Sequence, residues 1–533
     1  MKKVLLVGLL VLVAAFAFAG GSSEASKASS TTSSTKTGGV LKVYISNDPA
    51  SLNNTSFRAT QTCGFYETIL YKDAGGNYHG RLIDSFESDI NSLTYTLHLF
   101  TDKTVYFHDG SEMTAEVLAW NINEYKEIGV FASSFNKIDY AEATDAKTVV
   151  IHLKEWDMLI PNCLARMCSP VSKEYIDGFA AANPGKFATK TELYNAALLD
   201  HECGTGPFML KEWVRDSIVS TVRFDKYYMG TPILDGVDYV IIADADVALM
   251  AFQAGEIDVL NSSRIDNEKV ETILASNPDA VLYTATRGGY AATLGFESQD
   301  PNDPFYDVRV RQAVAMALDN DAIGKAVTAG MYFPGQHQWS YETYAYCSPN
   351  VTGYEYNVEK AKALLAEAGY PNGFKTTIKI QTPFVQTAVY VQSYLKAVGI
   401  DAEIISIDTA AFSNYISGWN GGLFFHTVGV SNGQEYQLLT AARSDNPSGF
   451  GARSFYHSEE LDALVKQAYN SSVEDSYAPT QRAAEIWFQE ECTADVLYLT
   501  QGWIIAKDYI KDAGINLYGA GAIDTLWTAY LDK

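Results

Sequence analysis

The length of this chain is the feature that most limits how it can fold. Its 533 residues cannot surround a single hydrophobic core, because single cores stop growing at roughly 250–300 residues and longer chains divide into separate units. The composition is that of an ordinary folded protein, with 47% hydrophobic and 19% charged residues. We therefore expect two or three folded lobes.

The charge of the chain limits its partners. It carries 39 Lys and Arg side chains against 64 Asp and Glu side chains, which gives a formal net charge of −25. Such a surface repels nucleic-acid phosphates and anionic lipids. We therefore predict no nucleic-acid partner and no stable membrane insertion, and the simplest role of the charge is solubility.

The N-terminus has the pattern of an export signal. Lys2 and Lys3 precede an apolar run over residues 4–18, and Ala17-Phe18-Ala19 followed by Gly20 is typical of a cleavage site. The run is shorter than the about 20 apolar residues that span a membrane comfortably. The sequence therefore predicts a cleaved signal peptide over residues 1–19.

A linker follows the predicted cleavage site. Residues 20–39 are mostly Gly, Ser, Thr, Ala and Lys, a composition that cannot bury enough apolar surface to fold. No cysteine lies near the cleavage site to accept a lipid. We therefore expect a flexible leader and a periplasmic protein that is not a lipoprotein.

The cysteines and histidines give no metal pattern. In an exported chain, cysteines form structural disulfides or stay as buried thiols, and the sequence leaves both alternatives open. The spacing of Cys163 and Cys168 lacks nearby histidines, and His98 and His108 are predicted to lie on a strand and a turn. We predict structural histidines and no metal site. The six cysteines are Cys63, Cys163, Cys168, Cys203, Cys347 and Cys492.

The hydrophobic pattern predicts a mixture of strands and helices. Residues 40–45 and 93–99 alternate between apolar and polar positions, which is typical of strands. Thr114 is placed to cap a helix. Residues 308–317 and 358–368 carry apolar side chains at helical spacing. Between these two helices, residues 328–353 read as a long loop rich in Tyr, Trp, Gly and Pro.

Several segments, in the same order along the chain, resemble one known family. These segments are the run V-Y-F-H-D-G-S-E-M-T-A-E-V at 105–117, G-T-G-P-F with L-K-E-W at 204–213, F-D-K-Y-Y with P-I-L-D at 224–235, F-Q-A-G-E-I-D at 252–258, V-R-V-R-Q-A-V-A-M-A-L-D at 308–319, E-K-A-K-A-L-L-A-E-A-G-Y at 359–370 and L-K-A-V-G-I at 395–400. They resemble the family 5 bacterial extracellular solute-binding proteins, which include oligopeptide, dipeptide, nickel and some oligosaccharide receptors.

The resemblance implies a fold and its division. The expected fold class is α/β: a two-lobed periplasmic-binding-protein clamshell, type II-like, with an extra N-terminal α+β subdomain. Two crossings near residues 287–294 and 499–503 would form the hinge. The implied units are lobe I over residues 40–70, 204–287 and 501–533, the extra subdomain over residues 71–203 and lobe II over residues 288–500.

The resemblance also implies a function. The chain would be the periplasmic receptor of an ABC importer, a monomer that captures a small organic solute and delivers it to a permease driven by an ATPase subunit. No cofactor, metal or catalytic residue is predicted. The sequence contains no P-loop, G-x-G-x-x-G, G-x-S-x-G or H-E-x-x-H pattern. The alternative from another class is an exported hydrolase, and a chaperone or a ligand sensor would share the fold.

Candidate ligand contacts fall in two parts of the chain. His426 lies within an apolar strand predicted over residues 423–428. By resemblance this strand points toward the ligand-facing part of lobe II, where His426 is either a ligand contact or a core histidine. Aromatic loop residues are either core or stacking partners for a ligand. The predicted contacts are Phe57, Arg58, Gln61, Tyr290, Trp339, Trp419, His426, Ser431, Asn432, Gln434, Glu435 and Tyr436.

The ligand class rests on one departure from the family. Peptide-binding members carry an aspartate in a W-x-x-D-x-x-D-P-like stretch that pairs with the amino terminus of the peptide, and residues 428–436 here contain neither Asp nor Pro. Glu435 is the acidic residue that can replace it. The polar groups of Ser431, Asn432 and Gln434 would equally suit an oligosaccharide. We rank a peptide-type solute first and an oligosaccharide second.

Overall fold

The computed structural model describes residues 38–55, 63–73, 75–128, 135–166, 168–262, 264–286, 289–409, 411–412, 421–430, 434–442, 458–513 and 526–533. The predicted signal peptide and most of the predicted leader lie outside the described residues.

The strands are β1 (Val40–Ile45), β2 (Leu70–Lys72), β3 (Tyr78–Gly80), β4 (Ser85–Asp89), β5 (Thr94–His98), β6 (Ile138–Asp145), β7 (Thr148–Leu153), β8 (Phe208–Val214), β9 (Ile218–Arg223), β10 (Gly236–Ile241), β11 (Val259–Asn261), β12 (Ala280–Thr284), β13 (Tyr290–Phe296), β14 (Tyr332–Phe333), β15 (Lys375–Gln381), β16 (Asp401–Ile407), β17 (Leu423–Gly429), β18 (Ala494–Thr500), β19 (Trp503–Lys507), β20 (Ile510–Lys511) and β21 (Tyr530–Leu531).

The α-helices are α1 (Ala115–Tyr125), α2 (Ile160–Arg166), α3 (Lys173–Ala182), α4 (Lys190–Ala197), α5 (Ala245–Gln253), α6 (Val270–Ser276), α7 (Val308–Ala317), α8 (Asn320–Val327), α9 (Val358–Glu367), α10 (Val385–Ala397), α11 (Gln434–Ala441), α12 (Glu459–Tyr469) and α13 (Tyr477–Ala484). A π-helical segment, Glu485–Glu490, continues α13.

The first large sheet has seven strands in the order β12-β19-β11-β1-β10-β9-β8. Its central strand β1 is parallel to β10 and β11. Leu41 and Val43 of β1 are buried while Val40 and Lys42 are exposed, so the alternation read from the sequence sets which side of the strand faces the core.

The second large sheet has six strands in the order β14-β18-β13-β17-β15-β16. Its inner strands are buried almost along their whole length, as expected when helices cover both faces of a sheet. The helix predicted over residues 308–317 is α7, and it packs beside α9. The aromatic side chains at Trp339, Tyr341 and Tyr344 are buried in one of the cores of this sheet.

A smaller antiparallel sheet has the order β4-β5-β7-β6, and α1 packs on it. Thr114 caps α1 as predicted, because its hydroxyl accepts from the backbone N–H of Val117 at 3.3 Å. Tyr95 and Ile151 of this sheet belong to the same core as Leu41 of the first sheet. The small sheet and the first sheet therefore pack as one unit.

All six cysteines lie in the described part of the chain as free thiols. Five are buried, and Cys347 is half-buried. Of the two alternatives left open by the sequence, the structure has the thiol form.

Candidate functional site

Two chain crossings join the first sheet to the second. The chain leaves the first sheet after β12 and returns to it at β19. The hydroxyl of Thr500 accepts from the Tyr290 N–H at 3.0 Å and donates to the Tyr290 carbonyl at 3.3 Å, and the amide of Gln501 donates to the Ala285 carbonyl at 2.7 Å. The two crossings are therefore bonded side by side.

Glycine is needed at one point of this crossing. Gly289 has a φ of +88°, and a Cβ atom there would lie 2.5 Å from the carbonyl oxygen of Thr500. A larger residue would be strained in φ and would also collide with the other crossing.

In each large sheet, one strand ends beside these crossings. In open α/β sheets, ligands bind outside the carboxyl ends of parallel strands. In the first sheet, β11 ends at Asn261, which pairs with Ile504 just after the second crossing. In the second sheet, β17 ends at Gly429, which pairs with Tyr290 just after the first crossing. The candidate site therefore lies at the carboxyl edges of the two sheets, next to the crossings.

Three of the predicted contacts lie in the described core of the second sheet or pack against it. Tyr290 begins β13, and its ring lies 5.7 Å from that of Phe384. Trp339 and His426 are each 1% exposed, with their rings 5.9 Å apart. The Trp339 indole N–H donates to the hydroxyl of Thr293 at 3.0 Å. The structure thus brings Trp339 and His426 together within one aromatic cluster.

The electrostatic state of His426 follows from its burial. Burial lowers the pKa of His426 to about 3, so the ring is uncharged at neutral pH. Its ring also stacks on Phe424 at 5.8 Å between centroids. Trp339 and His426 are thus buried side by side, and the uncharged His426 ring cannot supply a charge to a ligand. Its role as a ligand contact stays a prediction.

The structure does not describe the side chains of the other predicted contacts. Gln434, Glu435 and Tyr436 form the first turn of α11, directly after the carboxyl edge of the second sheet, and only their helical backbone is described. The predicted contacts that lie outside the described residues are Phe57, Arg58, Gln61, Trp419, Ser431 and Asn432.

The rule that ligands bind outside the carboxyl ends of parallel strands also points to residues that were not predicted from the sequence. Asn47 follows β1 and accepts a bond of 2.6 Å from the guanidinium of Arg264, which follows β11. Thr382 follows β15 and bonds to the hydroxyl of Ser406 at 2.9 Å. A polar residue within three positions after the end of a strand is the signal that would have found them.

The described part of the chain shows no group of three or more His, Cys, Asp and Glu side chains placed to hold a metal ion. Within the same described ranges, no helix has the length and apolar character needed to cross a membrane.

Comparison with known proteins gives a family and relatives. The family model for the middle part of bacterial extracellular solute-binding proteins, family 5, matches residues 77–450. The oligopeptide-binding protein AppA of Bacillus subtilis is 27% identical over 522 residues, which cover 88% of this chain and 91% of AppA. Heme-binding protein A of Haemophilus influenzae is 25% identical and covers 82% of this chain and 81% of its own length.

Solved structures show the same fold. The substrate-binding protein CtaP of Listeria monocytogenes superposes with a TM-score of 0.77 at 20% identity, over 94% of this chain and 100% of CtaP. The periplasmic binding protein DppA of Helicobacter pylori, in complex with the peptide STSA, gives a TM-score of 0.69 at 24% identity, over 93% and 99% of the two chains.

These likenesses confirm the predicted fold class, an α/β two-lobed periplasmic-binding-protein clamshell with an extra N-terminal α+β subdomain. The family model covers well over half of the sequence, and the motifs quoted from residues 105–117 to 395–400 lie inside the matched range. The chain belongs to family 5 of the bacterial extracellular solute-binding proteins.

Proposed function

We propose that this chain is the periplasmic substrate-binding receptor of an ABC importer, and that it captures a peptide-type organic solute between its lobes without catalysing a reaction. The observation that carries the proposal is the pair of bonded crossings at Tyr290 and Thr500, beside which both sheets present their carboxyl edges. Relatives named for oligopeptide and glutathione binding support a peptide-type solute. Delivery to a permease and its ATPase subunit follows from the same role.

The division into lobes is part of this proposal. The strands of the first sheet fall within residues 40–70, 204–287 and 501–533, which we assign to lobe I. The strands of the second sheet fall within residues 288–500, which we assign to lobe II. The small antiparallel sheet falls within residues 71–203, the extra subdomain.

Capture works as a population shift. A ligand that contacts both lobes does so only when they close, so it stabilises the closed form by its difference in affinity for the two forms. The crossings provide the hinge, since few residues connect the lobes there. The permease then recognises the closed form.

Closure predicts a change of shape. A saturating ligand, taken from the screen described below, should reduce the radius of gyration measured by small-angle X-ray scattering, because the lobes approach each other. A compound that raises the melting temperature in the screen but leaves the scattering profile unchanged would contradict clamshell closure.

The ligand class depends on how the receptor holds a charged amine. A buried ammonium group without a partner costs several kcal/mol, so a peptide receptor needs an acidic anchor. Glu435 lies in the first turn of α11, the helix that follows β17 in the chain. We propose that Glu435 is this anchor; without it, neutral polar groups and aromatic rings would favour an oligosaccharide.

A thermal-shift screen separates the two ligand classes. Di- to pentapeptides and di- to pentasaccharides are compared, since a ligand at 100 times its Kd adds about 2.7 kcal/mol of stability. We expect peptides to raise the melting temperature of the wild type and to lose this effect with Glu435→Gln. Stabilisation by sugars alone would show that the peptide assignment is wrong.

We also propose that the chain is exported and processed before Gly20. The lysines at positions 2 and 3 and the apolar run over residues 4–18 support a cleaved signal peptide, and the lack of a nearby cysteine supports a form without lipid. N-terminal sequencing of the periplasmic fraction should read from Gly20. A membrane-bound product with residues 1–19 intact would contradict this.

A further inference from the structure

Arg264 differs from most of the described arginines because it has no acidic partner. It lies shortly after β11 and is exposed. Within the described ranges its guanidinium donates to the side-chain oxygen of Asn47 at 2.6 Å, and no Asp or Glu forms an ion pair with it. The arginines that do pair with an Asp or Glu are Arg215, Arg223, Arg309, Arg311 and Arg482. The charge of Arg264 is therefore open to an anionic group from outside the chain.

Arg264 and Asn47 lie at the same edge of the first sheet. The strands β1 and β11 are parallel neighbours in this sheet. Asn47 follows the carboxyl end of β1, and Arg264 follows the carboxyl end of β11. Since ligands of open α/β sheets bind outside the carboxyl ends of parallel strands, both side chains lie where the contribution of lobe I to the candidate site is expected.

The chain just before Arg264 is fixed to the sheet. The side-chain amide of Asn261 donates to the Tyr44 carbonyl of β1 at 2.9 Å. The backbone N–H of Ser262 donates to the Trp503 carbonyl at 3.1 Å, directly after the second crossing. All of these residues belong to lobe I, so this part of the candidate site does not depend on the position of lobe II.

Asn47 orients the guanidinium and leaves most of its donors available. The Asn47 side-chain N–H donates to the Ser46 hydroxyl at 3.2 Å, which directs the Asn47 amide oxygen toward Arg264. A guanidinium offers a planar fork of N–H donors, and Asn47 takes a single one of them. The neighbouring Asp48 carboxylate is occupied elsewhere, since it accepts from the Trp213 indole N–H at 2.8 Å. The rest of the fork can therefore bind a carboxylate through two parallel hydrogen bonds.

We infer that Arg264 binds a carboxylate of the ligand, and that Asn47 holds the guanidinium in position for it. This inference rests on the proposed capture of a solute between the lobes. Lobe I then supplies the positive contact, while Glu435 of lobe II is the proposed negative contact. A ligand held by both carries a carboxylate and an amine, which is the charge pattern of a peptide with free termini. An acidic oligosaccharide offers Arg264 the same carboxylate, and the probes below separate the two sources.

Two substitutions separate ligand binding from a structural role. Arg264→Gln removes the charge. Asn47→Asp keeps the size of the side chain and places a carboxylate against the guanidinium, so it preserves the contact between the two segments while it occupies Arg264. If Arg264 only tied these segments together, Asn47→Asp would leave ligand binding intact. Arg223→Gln is the matched control, because Arg223 pairs with Asp235 at the opposite, amino edge of the same sheet.

The test uses pairs of probes that differ only in the carboxylate. Di- to pentapeptides without acidic side chains are compared with their C-terminal amides, and di- to pentagalacturonates with their methyl esters. Calorimetric titration gives the Kd of each probe that raises the melting temperature. Because hydrogen bonds to charged groups are the stronger ones, we expect wild type and Arg223→Gln to bind the acid about 10- to 100-fold more tightly than its neutral counterpart. Arg264→Gln and Asn47→Asp should bind the two alike.

The outcomes distinguish this inference from the proposed function. Equal binding of peptide acids and peptide amides by the wild type would overturn the role of Arg264 and leave a peptide receptor in place. A preference for the acid that survives in Arg264→Gln or Asn47→Asp, with cooperative urea unfolding retained, would overturn it as well. Stabilisation by galacturonates alone, lost in Arg264→Gln, would support the role of Arg264 and show that the peptide assignment is wrong.

Discussion

Replacement of Arg311 by leucine should lower the free energy of unfolding by roughly 3–5 kcal/mol, because it leaves three backbone carbonyls and the partly exposed Glu491 carboxylate without their buried donor. Arg311 lies on α7 with its side chain 2% exposed. Its guanidinium donates to the Phe305 carbonyl at 2.8 Å and to the Glu491 carbonyl at 2.8 Å, and it pairs with the Glu491 carboxylate at 3.1 Å.

The same motif supplies the control. Arg309 lies two residues earlier, with its side chain 45% exposed, and pairs mainly with Asp307 at the start of the helix. Exposed pairs contribute about 0–1 kcal/mol, so Arg309→Leu should change stability by no more than about 1 kcal/mol. Urea unfolding of both variants gives the comparison. Equal losses for Arg309→Leu and Arg311→Leu would show that burial does not govern this motif.

The periodic parts of the fold could be predicted from the sequence. The helix expected over residues 308–317 has those bounds, and the strand expected over residues 40–45 is β1, because alternation and helical spacing report directly which side chains face a core. The V-R-V-R motif at 308–311 places two arginines two residues apart at the start of this helix. That its second arginine is buried and its first exposed depends on the distant residue Glu491, and no local pattern records such a pairing.

For the loop over residues 328–353, the sequence pattern does not show which side chains are buried. Its composition predicted a loop, and the structure has one short strand there, β14. Trp339 and Tyr341 are nevertheless 1% and 4% exposed. Because a loop has no period, the sequence does not indicate which aromatic rings face the core. The candidate site has the same difficulty, since it is defined by which strands are parallel and where they end, a property of topology.

Replacement of His108 by glutamine should lower the free energy of unfolding by about 3–5 kcal/mol, the loss typical of a buried ion pair that loses one partner. His108 and Glu202 are 4% and 3% exposed, and their Nδ1 and Oε2 atoms lie 2.5 Å apart. The other ring nitrogen of His108 lies 2.9 Å from the Gly206 carbonyl. Since both partners accept, both ring nitrogens must carry hydrogens, and the ring is a cation.

The matched control is His152→Gln in the small sheet. His152 pairs with Glu142 at 3.0 Å, but these side chains are 29% and 50% exposed. The replacement should therefore lower the free energy of unfolding by no more than about 1 kcal/mol. Comparable losses for the two variants would contradict the assignment of His108 as a buried cation.

The pH dependence gives a second, independent measurement. Burial alone would lower the pKa of His108, but the charge and hydrogen bond of Glu202 outweigh it and raise the pKa above the ordinary 6.5. Burial alone would raise the pKa of Glu202, but His108 and two backbone N–H groups bring it below the ordinary 4.5. The contribution of His108 to the free energy of unfolding is fully present below pH 6.5 and is lost as the pH rises through the folded pKa of His108. The contribution of Glu202 is fully present above pH 4.5 and is lost as the pH falls through the folded pKa of Glu202. The stability difference between wild type and His108→Gln should therefore be largest between pH 4.5 and 6.5 and shrink at more alkaline pH. A difference that grows with pH would show that the ring is neutral in the folded protein.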